Sequence, residues 1–182
     1  MLIISYAEIY GAIKPEELPL SENTPIRPTN PYSVSKVTQD MLGLQYYLSH
    51  NLPIMRARAF NHFGPGQNPN FVAPAFATQI AKIEVGEQES VIYVGNLEAQ
   101  RDFTDVRDIV RAYELIVNHG LSGQAYNIGS GKTYSVQYLL DTLLTYTDIA
   151  IEVRVDESRL RPVDVPVVQA DASKLSQHTG WH

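Results

Sequence analysis

Cysteine is absent from all 182 residues of the chain. A protein without thiols has no disulfide framework, no thiolate zinc site and no cysteine nucleophile. The histidines do not make up for this, because they are scattered: His62 lies in a stretch rich in proline and glycine, and His178 lies close to the C-terminus. We therefore predict no metal site.

Long apolar runs and clusters of basic residues are also lacking. No run of apolar residues is as long as a membrane-spanning helix. The short apolar stretch after Met1 has no basic residues before it, which is not typical of a signal peptide. The formal net charge of −6 argues against a surface that binds nucleic acids. These features predict a cytoplasmic protein with no membrane and no nucleic-acid partner.

Segments with the apolar pattern of strands alternate along the chain with segments that have the spacing of helices. The predicted strands are residues 2–5, 53–60, 90–94, 125–128 and 149–155, and the predicted helices are 32–48, 71–85, 106–118 and 136–147. Residues 16–30 and 61–69 are polar or rich in proline and glycine, and are predicted to be loops. This alternation is typical of an α/β domain with a largely parallel sheet.

A tyrosine and a lysine in the first predicted helix are candidates for chemistry. Asn30 is a good N-cap residue and Pro31 suits the first helical position, so Tyr32 and Lys36 share one face of the first turns. A free phenol has a pKa of about 10, and an adjacent ammonium group lowers that pKa by favouring the ionised form. The pair therefore indicates a proton-transfer site, although a Tyr and a Lys at this spacing are common by chance.

One segment imitates a phosphate-binding loop. Residues 129–133 read GSGKT, but the first glycine of a P-loop motif would fall at Tyr126. The same glycines begin a G-x-G-x-x-G pattern whose last position is Tyr134. We interpret this segment as an ordinary turn between a strand and a helix.

Six segments that together span nearly the whole chain form a specific set. They are SYAEIYG (5–11), NPYSVSK (30–36), RAFNHFGPGQ (58–67), GNLEAQRDFTDVRD (95–108), YNIGSG (126–131) and RPVDVP (161–166). In this order they resemble the extended short-chain dehydrogenase/reductase family, in its nucleotide-sugar branch. The resemblance implies an α/β fold, namely the C-terminal part of a Rossmann-like doubly wound parallel sheet plus a smaller substrate-binding subdomain.

The resemblance assigns the chemistry to four residues. Tyr32 would be the catalytic acid/base at the C4 oxygen of the sugar, and Lys36 would lower its pKa and bind the nicotinamide ribose. Glu8 matches the residue that serves water elimination in the dehydratases of this branch. Tyr6 stands where the family has a catalytic serine or threonine, while Ser5 would point to the opposite face of the strand. Either the Tyr6 hydroxyl donates a hydrogen bond from further out, or the change is tolerated because the protein is inactive.

The resemblance also implies NAD or NADP as cofactor and a GDP-sugar as substrate. The residues at cofactor-binding positions are Tyr32, Lys36, Asn61 and His62, and those at substrate-binding positions are Asn61, Val72, Arg101, Arg161 and Asp164. In this assignment Asn61 and Arg101 hold the diphosphate, since guanidinium groups recognise phosphate oxygens bidentately. Val72 lines the pocket for the base, and the last two residues bind the phosphate and ribose end of GDP.

The glycine-rich dinucleotide fingerprint of the family is missing from the chain. We therefore expect a fragment, truncated at the N-terminus and also at the C-terminus. Residues 1–70 would be a remnant of the Rossmann-like domain, and residues 71–182 mostly the substrate subdomain, with 105–131 returning to the Rossmann-like sheet. The strand at 2–5 would then be an apolar edge without a partner, which predicts a poorly soluble or oligomeric chain.

Several activities remain open within this resemblance. The loop FGPGQ (63–67) and Ala75 favour a reductase of GDP-4-keto-6-deoxy-mannose over a GDP-mannose 4,6-dehydratase, in which Glu8 would act in the elimination. A GDP-sugar-binding module without catalysis and a fragment without any function are further alternatives.

Five apolar residues follow one another at helical spacing along the first predicted helix: Val34, Val37, Met41, Leu44 and Leu48. We predict that they pack in the core. The resemblance offers a second interpretation, in which the helix at 32–48 pairs with its copy in a homodimer.

Overall fold

The computed structural model of the protein describes residues 1–160 and 165–182. Its strands are β1 (Leu2–Tyr6), β2 (Met55–Ala59), β3 (His62–Phe63), β4 (Val91–Val94), β5 (Gln100–Asp102), β6 (Thr104–Asp105), β7 (Ala125–Ile128), β8 (Thr133–Ser135), β9 (Glu152–Val155) and β10 (Val167–Val168). Its helices are α1 (Pro31–His50), α2 (Val72–Glu84), α3 (Val106–His119), α4 (Val136–Leu144) and α5 (Ser173–Thr179).

The first sheet consists of three parallel strands in the order β1-β2-β7. The central strand β2 is buried along its whole length, because helices cover both faces of the sheet. Its three apolar residues join a core cluster with α3, α5 and β7. Its two arginines, Arg56 and Arg58, bond with Asp40 of α1 on the other face.

A second group of elements is built around shorter strands. One sheet has the order β10-β5-β8, with β5 and β8 antiparallel, and a separate pair joins β4 to β9 in parallel. Helices α2 and α4 pack together against β4 through a cluster that includes Phe76, Ile80, Ile92 and Leu140. This cluster is the core of the second group.

Two short pairings connect the groups. Strand β3, which follows β2 closely, pairs with β6, which follows β5. Leu20 forms an isolated parallel bridge with Ala170. Helix α3 packs on β2, and β7 then completes the first sheet. The division of the chain into two domains near residue 70 stays a prediction.

The predicted α/β alternation with parallel strands is confirmed, and every predicted strand and helix is present. Helix α1 begins at Pro31 because the Asn30 side chain accepts a hydrogen bond from the Ser33 amide, and it ends at His50. Two predicted boundaries later in the chain are less accurate. The helix predicted to end at residue 147 ends at Leu144, and the strand predicted to begin at residue 149 begins at Glu152. The predicted loop at 61–69 is wrong in part, because it contains β3. Four other short strands and α5 were not predicted.

The predicted core position of the apolar stripe on α1 is wrong in part, since Val37 alone of the five is a half-buried neighbour of a core cluster in the described residues. Val34 and Leu48 are 51% and 71% exposed, and the three residues between them are half-buried. The fully buried residues of α1 are instead Ser33, Asp40 and Gly43. Within the described part of the chain, no helix has the length and apolar character needed to cross a membrane.

Candidate active site

Three of the predicted site residues follow the carboxyl ends of β1 and β2. Tyr6 is the last residue of β1, and Glu8 lies in the single 3-10 turn that follows, Ala7–Tyr10. Asn61 comes two residues after the end of β2. Since β1 and β2 are parallel neighbours, their carboxyl ends meet at one edge of the sheet, where ligands of α/β proteins bind.

Helix α1 brings Tyr32 to the same edge. Its ring lies against that of Tyr6 in an edge-to-face arrangement, with 6.3 Å between the ring centroids and an interplanar angle of 64°. Asn61 Nδ2 donates a hydrogen bond of 3.3 Å to Tyr6 Oη. Tyr32 is 55% exposed, so this residue is accessible to a ligand.

Lys36 lies beside Tyr32 but is held by other groups. Its Nζ is 5.8 Å from the centroid of the Tyr32 ring. The ammonium donates to the Ile4 carbonyl at 3.3 Å and to Gln39 Oε1 at 3.2 Å. Both hydrogen bonds are exposed.

The pKa of the Tyr32 phenol is raised above its ordinary value, first because the phenol is partly desolvated and second because Glu8 is negatively charged. The Ser33 hydroxyl lies 3.5 Å from Glu8 Oε2, which places that carboxylate at the start of α1. The pKa of Tyr32 is thus not lowered in this structure, and the role of Lys36 in lowering it stays a prediction. The Lys36 ammonium lies over the face of the Tyr32 ring and donates to the two oxygens named above.

The binding residues of the sequence analysis lie on neighbouring elements. His62 begins β3, and its Nδ1 is 2.8 Å from the Phe60 carbonyl. Arg101 lies in β5, and its Nη1 donates to the carbonyls of Gln100 and Val165. The pairing of β3 with β6 brings the segment after Arg101 close to Asn61, whose carbonyl accepts from the Thr104 amide at 3.0 Å.

Val72 is the first residue of α2 and packs against the core of the second group. Arg161 and Asp164 lie outside the described residues. The contacts of the structure thus bring together Tyr6, Glu8, Tyr32, Lys36 and Asn61, all at one edge of the first sheet.

The turn at 129–131 is occupied by a carboxylate of the chain itself. Asp102 is fully buried, and its Oδ1 accepts from the amide and the hydroxyl of Ser130 at 2.8 and 2.7 Å. Its Oδ2 accepts from the amides of Gly131 and Ala170 at 2.8 and 3.1 Å. Because Asp102 uses these donors, the turn is not a phosphate-binding loop, in agreement with the sequence analysis.

Sequence reasoning missed a buried polar network beneath the site. The carboxylate of Asp40 accepts hydrogen bonds from Arg56 and Arg58. The signal was present, since two arginines at alternate positions of a buried strand share one face and need an anionic partner. The partner lies in a helix, so the spacing of the residues could not identify it.

A cavity of about 650 Å³ lies away from the predicted site. It is bounded by the turn at 129–131, by residues 169–173 and by Trp181, and no predicted site residue lines it. In residues 1–160 and 165–182, no three His, Cys, Asp or Glu side chains are grouped so as to hold a metal ion.

The model of the family described as GDP-mannose 4,6 dehydratase matches residues 1–182, which is the entire chain. The chain belongs to this family. The chain is 35% identical over 180 residues to GDP-6-deoxy-D-mannose reductase from Pseudomonas aeruginosa. It is 30% identical over 196 residues to GDP-mannose 4,6-dehydratase from Sinorhizobium fredii. These matches cover 99% and 97% of the chain, but only 59% and 55% of the relatives.

Solved structures show the same fold for this member of the GDP-mannose 4,6 dehydratase family. RMD from Pseudomonas aeruginosa, complexed with NADPH, superimposes with a TM-score of 0.93 at 34% identity. dTDP-glucose 4,6-dehydratase from Bacillus anthracis, in complex with NAD, gives a TM-score of 0.82 at 27% identity. The superposition with the first structure includes 99% of this chain and 60% of that protein. The superposition with the second includes 100% of this chain and 55% of that protein. The predicted relationship to nucleotide-sugar dehydratases and reductases and the Rossmann-like α/β class are confirmed.

Proposed function

We propose that this chain carries the proton-transfer and sugar-binding part of an NAD(P)-dependent nucleotide-sugar oxidoreductase, most like a GDP-4-keto-6-deoxy-mannose reductase. The observation that carries the proposal is the exposed Tyr32, beside Tyr6 and Lys36, at the carboxyl ends of two parallel strands. The 35% identity with a GDP-6-deoxy-D-mannose reductase supports the direction of the reaction.

The chemistry is a ketone reduction in which Tyr32 acts as general acid. Tyr32, Lys36, Asn61 and His62 would hold the reduced dinucleotide, which would supply a hydride to the C4 carbonyl carbon of the sugar and so become oxidised. Tyr32 Oη donates its proton to the C4 oxygen, so that the carbonyl becomes a hydroxyl. A phenol with the ordinary pKa of about 10 is protonated at neutral pH, which is the state that the reduction needs, and the upward shift of the Tyr32 pKa acts in the same direction. Lys36 stabilises the phenolate that forms.

The side chains at this edge suit a dinucleotide and a GDP-sugar. The Lys36 ammonium, whose hydrogen bonds are exposed, would bind ribose hydroxyls. Asn61, which bonds to Tyr6, and His62 follow β2 at the same edge of the sheet. Relatives complexed with NADPH and with NAD support NADP or NAD as the cofactor. Asn61 and Arg101 would bind the diphosphate. Val72, Arg161 and Asp164 would bind the nucleoside end.

A second candidate is the GDP-mannose 4,6-dehydratase activity, in which Glu8 takes part in eliminating water. The observation that favours it is the position of the Glu8 carboxylate, which lies at the start of α1 and is close enough to raise the pKa of Tyr32. The third candidate is a module that binds a GDP-sugar without catalysis.

The exposed apolar residues of α1 support a homodimer in which this helix packs against its copy. Val34, Leu42 and Leu48 are each at least 51% exposed, although they lie on an otherwise folded helix. Burying such a surface against a second copy is favourable. A cytoplasmic location is part of the same proposal.

Replacing the proton donor tests the proposed reaction. We expect Tyr32→Phe to lower the rate of NADPH oxidation with GDP-4-keto-6-deoxy-mannose by roughly 100-fold or more, which is typical for removal of a general acid. The control is Tyr46→Phe, an exposed tyrosine of the same helix outside the site, which should leave the rate unchanged. Absorbance at the nicotinamide band measures both rates.

The other candidates give different results in the same samples. Conversion of GDP-mannose to the keto sugar, abolished by Glu8→Gln, would indicate the dehydratase. A melting temperature that rises with GDP but not with NADPH, without turnover of either sugar, would indicate the binding module. Equal rates for the wild type and Tyr32→Phe would contradict the proposed role of Tyr32.

A further inference from the structure

The buried side of α1 is polar, which is unusual for a helix that covers a sheet. Its fully buried residues are Ser33, Asp40 and Gly43, and Asp40 has no solvent exposure at all. A buried carboxylate without partners would be very costly, so the position requires compensating charges. Asp40 lies one turn beyond Lys36 and about two turns beyond Tyr32 on the same helix.

Two arginines of β2 hold the Asp40 carboxylate in a fixed orientation. Arg58 binds it with two parallel hydrogen bonds, from Nε to Oδ2 and from Nη2 to Oδ1, each 2.9 Å long. Arg56 Nη1 adds a third bond of 2.7 Å to Oδ1. A bidentate guanidinium pair restricts angle as well as distance, unlike a contact between apolar side chains.

The network continues from Arg58 to the turn that carries Glu8. Arg58 Nη1 donates to Tyr10 Oη at 3.1 Å, and Tyr10 is the last residue of that turn. Tyr10 Oη in turn donates to Asn127 Oδ1 of β7 at 2.6 Å. Arg58 itself lies three residues before Asn61 in the chain. The network therefore connects α1, β2, β7 and the turn that carries Glu8.

We propose that Asp40 is a positioning residue for this site: clamped by Arg56 and Arg58, its carboxylate fixes the rotation and the axial position of α1 relative to β1 and β2. A helix is stiff over two turns, so fixing Asp40 also fixes Lys36 and Tyr32. The rings of Tyr32 and Tyr6 are thereby held edge to face. An effect of Asp40 on the reaction rate rests on the proposed function. The effect of Asp40 on the position of the two tyrosine rings does not.

Asp40 could instead serve stability alone, and a matched comparison separates the two roles. Asp40→Asn removes the charge while keeping the shape of the side chain. Ile116→Ala, in α3 on the opposite face of the sheet, removes buried apolar surface without touching the network. Both variants are expected to melt at lower temperature than the wild type. Both are studied at a temperature at which they remain folded.

The geometric readout is the nuclear Overhauser effect between the ring protons of Tyr6 and Tyr32 at neutral pH, in protein with labelled tyrosine. Tyr6→Phe and Tyr32→Phe assign the signals. We expect the effect to be lost and both ring signals to shift in Asp40→Asn but not in Ile116→Ala. An unchanged effect in Asp40→Asn, or equal changes in both variants, would overturn the proposal.

If Asp40→Asn does not fold, the variant Arg58→Lys tests the positioning role of Asp40 instead. Lysine keeps the positive charge but cannot form the two parallel bonds. A positioning role therefore predicts the same loss of the Tyr6–Tyr32 effect, and a purely electrostatic role predicts none. Retention of the effect in a folded Arg58→Lys variant would overturn the proposal.

The kinetic readout separates this proposal from the proposed function. With GDP-4-keto-6-deoxy-mannose, we expect Asp40→Asn to lower kcat by about 100-fold, as small misplacements of catalytic groups do, with little change in KM. If the wild type shows no turnover but the ring signals respond as expected, the positioning role stands and the proposed function fails. If the wild type shows turnover but Asp40→Asn changes the ring signals and kcat no more than Ile116→Ala does, the proposed function stands and the positioning role fails.

Discussion

Asp102 and Asp40 are both fully buried carboxylates, and each accepts hydrogen bonds from groups that are distant in the chain. The partners differ in charge. Asp102 is surrounded by backbone amides and one hydroxyl, whereas Asp40 is surrounded by guanidinium groups. At the scale of single residues, removing either carboxylate leaves buried donors without acceptors, which costs more than the hydrogen bonds themselves contribute.

Asp102→Ala is expected to destabilise the fold by roughly 3 kcal/mol, because the amides of Ser130, Gly131 and Ala170 lose their acceptor. Urea unfolding followed by circular dichroism measures the loss. The control is Asp141→Ala, whose exposed carboxylate accepts from Gln137 Nε2, and which should change stability by less than about 0.5 kcal/mol. Equal losses in the two variants would refute the structural role of Asp102.

The pKa of Asp40 determines how its contribution to the stability of the fold depends on pH. Burial alone would raise its pKa, but the hydrogen bonds and charges of Arg58 and Arg56 outweigh burial and lower it. Since the folded-state pKa is below the unfolded value of about 3.9, the ionised carboxylate stabilises the fold above that pH. The stabilisation is lost as the pH falls through the folded-state pKa.

We therefore expect Asp40→Asn to cost about 3–5 kcal/mol at pH 7, as breaking a buried ion pair does, and this cost to shrink below about pH 4. Urea unfolding at a series of pH values measures both variants. Glu152→Gln serves as the control, because that carboxylate also binds an arginine, Arg154, but is exposed. Little change is expected there at any pH.

At the scale of elements, α1 is held on the first sheet by close approaches as well as by charges. Gly43 faces Ile3 of β1, and a Cβ at this position would come within 2.9 Å of Ile3 Cδ1. At the far end of α1, Tyr47 packs over the turn that precedes β7. These contacts leave the helix little freedom to slide along the sheet.

Gly123 in that turn combines a positive φ of 78° with a close contact. A Cβ there would lie 2.2 Å from Tyr47 Cε1, and Arg56 Nη2 also donates to the Gly123 carbonyl at 3.0 Å. We expect Gly123→Ala to cost about 2–5 kcal/mol, as the sum of backbone strain and steric overlap. Thermal or urea unfolding measures this cost.

Gly86 is the matched control, because its φ is 74° but nothing lies within 4 Å of the added Cβ. Gly86→Ala should cost only the strain of the left-handed conformation, about 1–2 kcal/mol. If the two variants were equally stable, the contact between Tyr47 and the turn would not contribute as the structure indicates.

At the scale of the whole molecule, two apolar surfaces favour association. In the described residues, β1 has β2 on one side and no strand on the other, and Ile4 is 37% exposed. The second surface is the exposed side of α1, which includes Leu48. An open strand edge pairs with other edges, whereas an apolar helix face packs against another helix.

We expect light scattering after size-exclusion chromatography to show a wild-type mass above that of one 20.4 kDa chain, increasing with concentration. Ile4→Lys should reduce this mass if strand pairing dominates, and Leu48→Lys should do so if the helix pairs as proposed. Val85→Lys, which alters a residue that is 70% exposed at the end of α2, is the control. A monomeric wild type would contradict both routes of association.

Much of the fold was predictable because its signals are local. The start of α1 is encoded by Asn30 and Pro31, and the alternation of strands and helices follows from apolar spacing within each segment. Tyr32 and Lys36 could be placed on one helix face for the same reason. The short strands β3 and β8 could not be predicted, since two or three residues are too few to show a period and their pairing depends on distant segments.

The amino-acid order alone therefore accounts for the succession of elements and for the tyrosine and lysine that share a helix face. Folding in three dimensions settled three other matters. The arginines of β2 meet Asp40, the Ser130 and Gly131 amides meet Asp102, and Glu8 lies close enough to Tyr32 to raise the pKa of its phenol. The reason is physical. Helix periodicity and capping act between neighbours in the chain, whereas burial and electrostatic interactions depend on distances that exist only after the chain has folded.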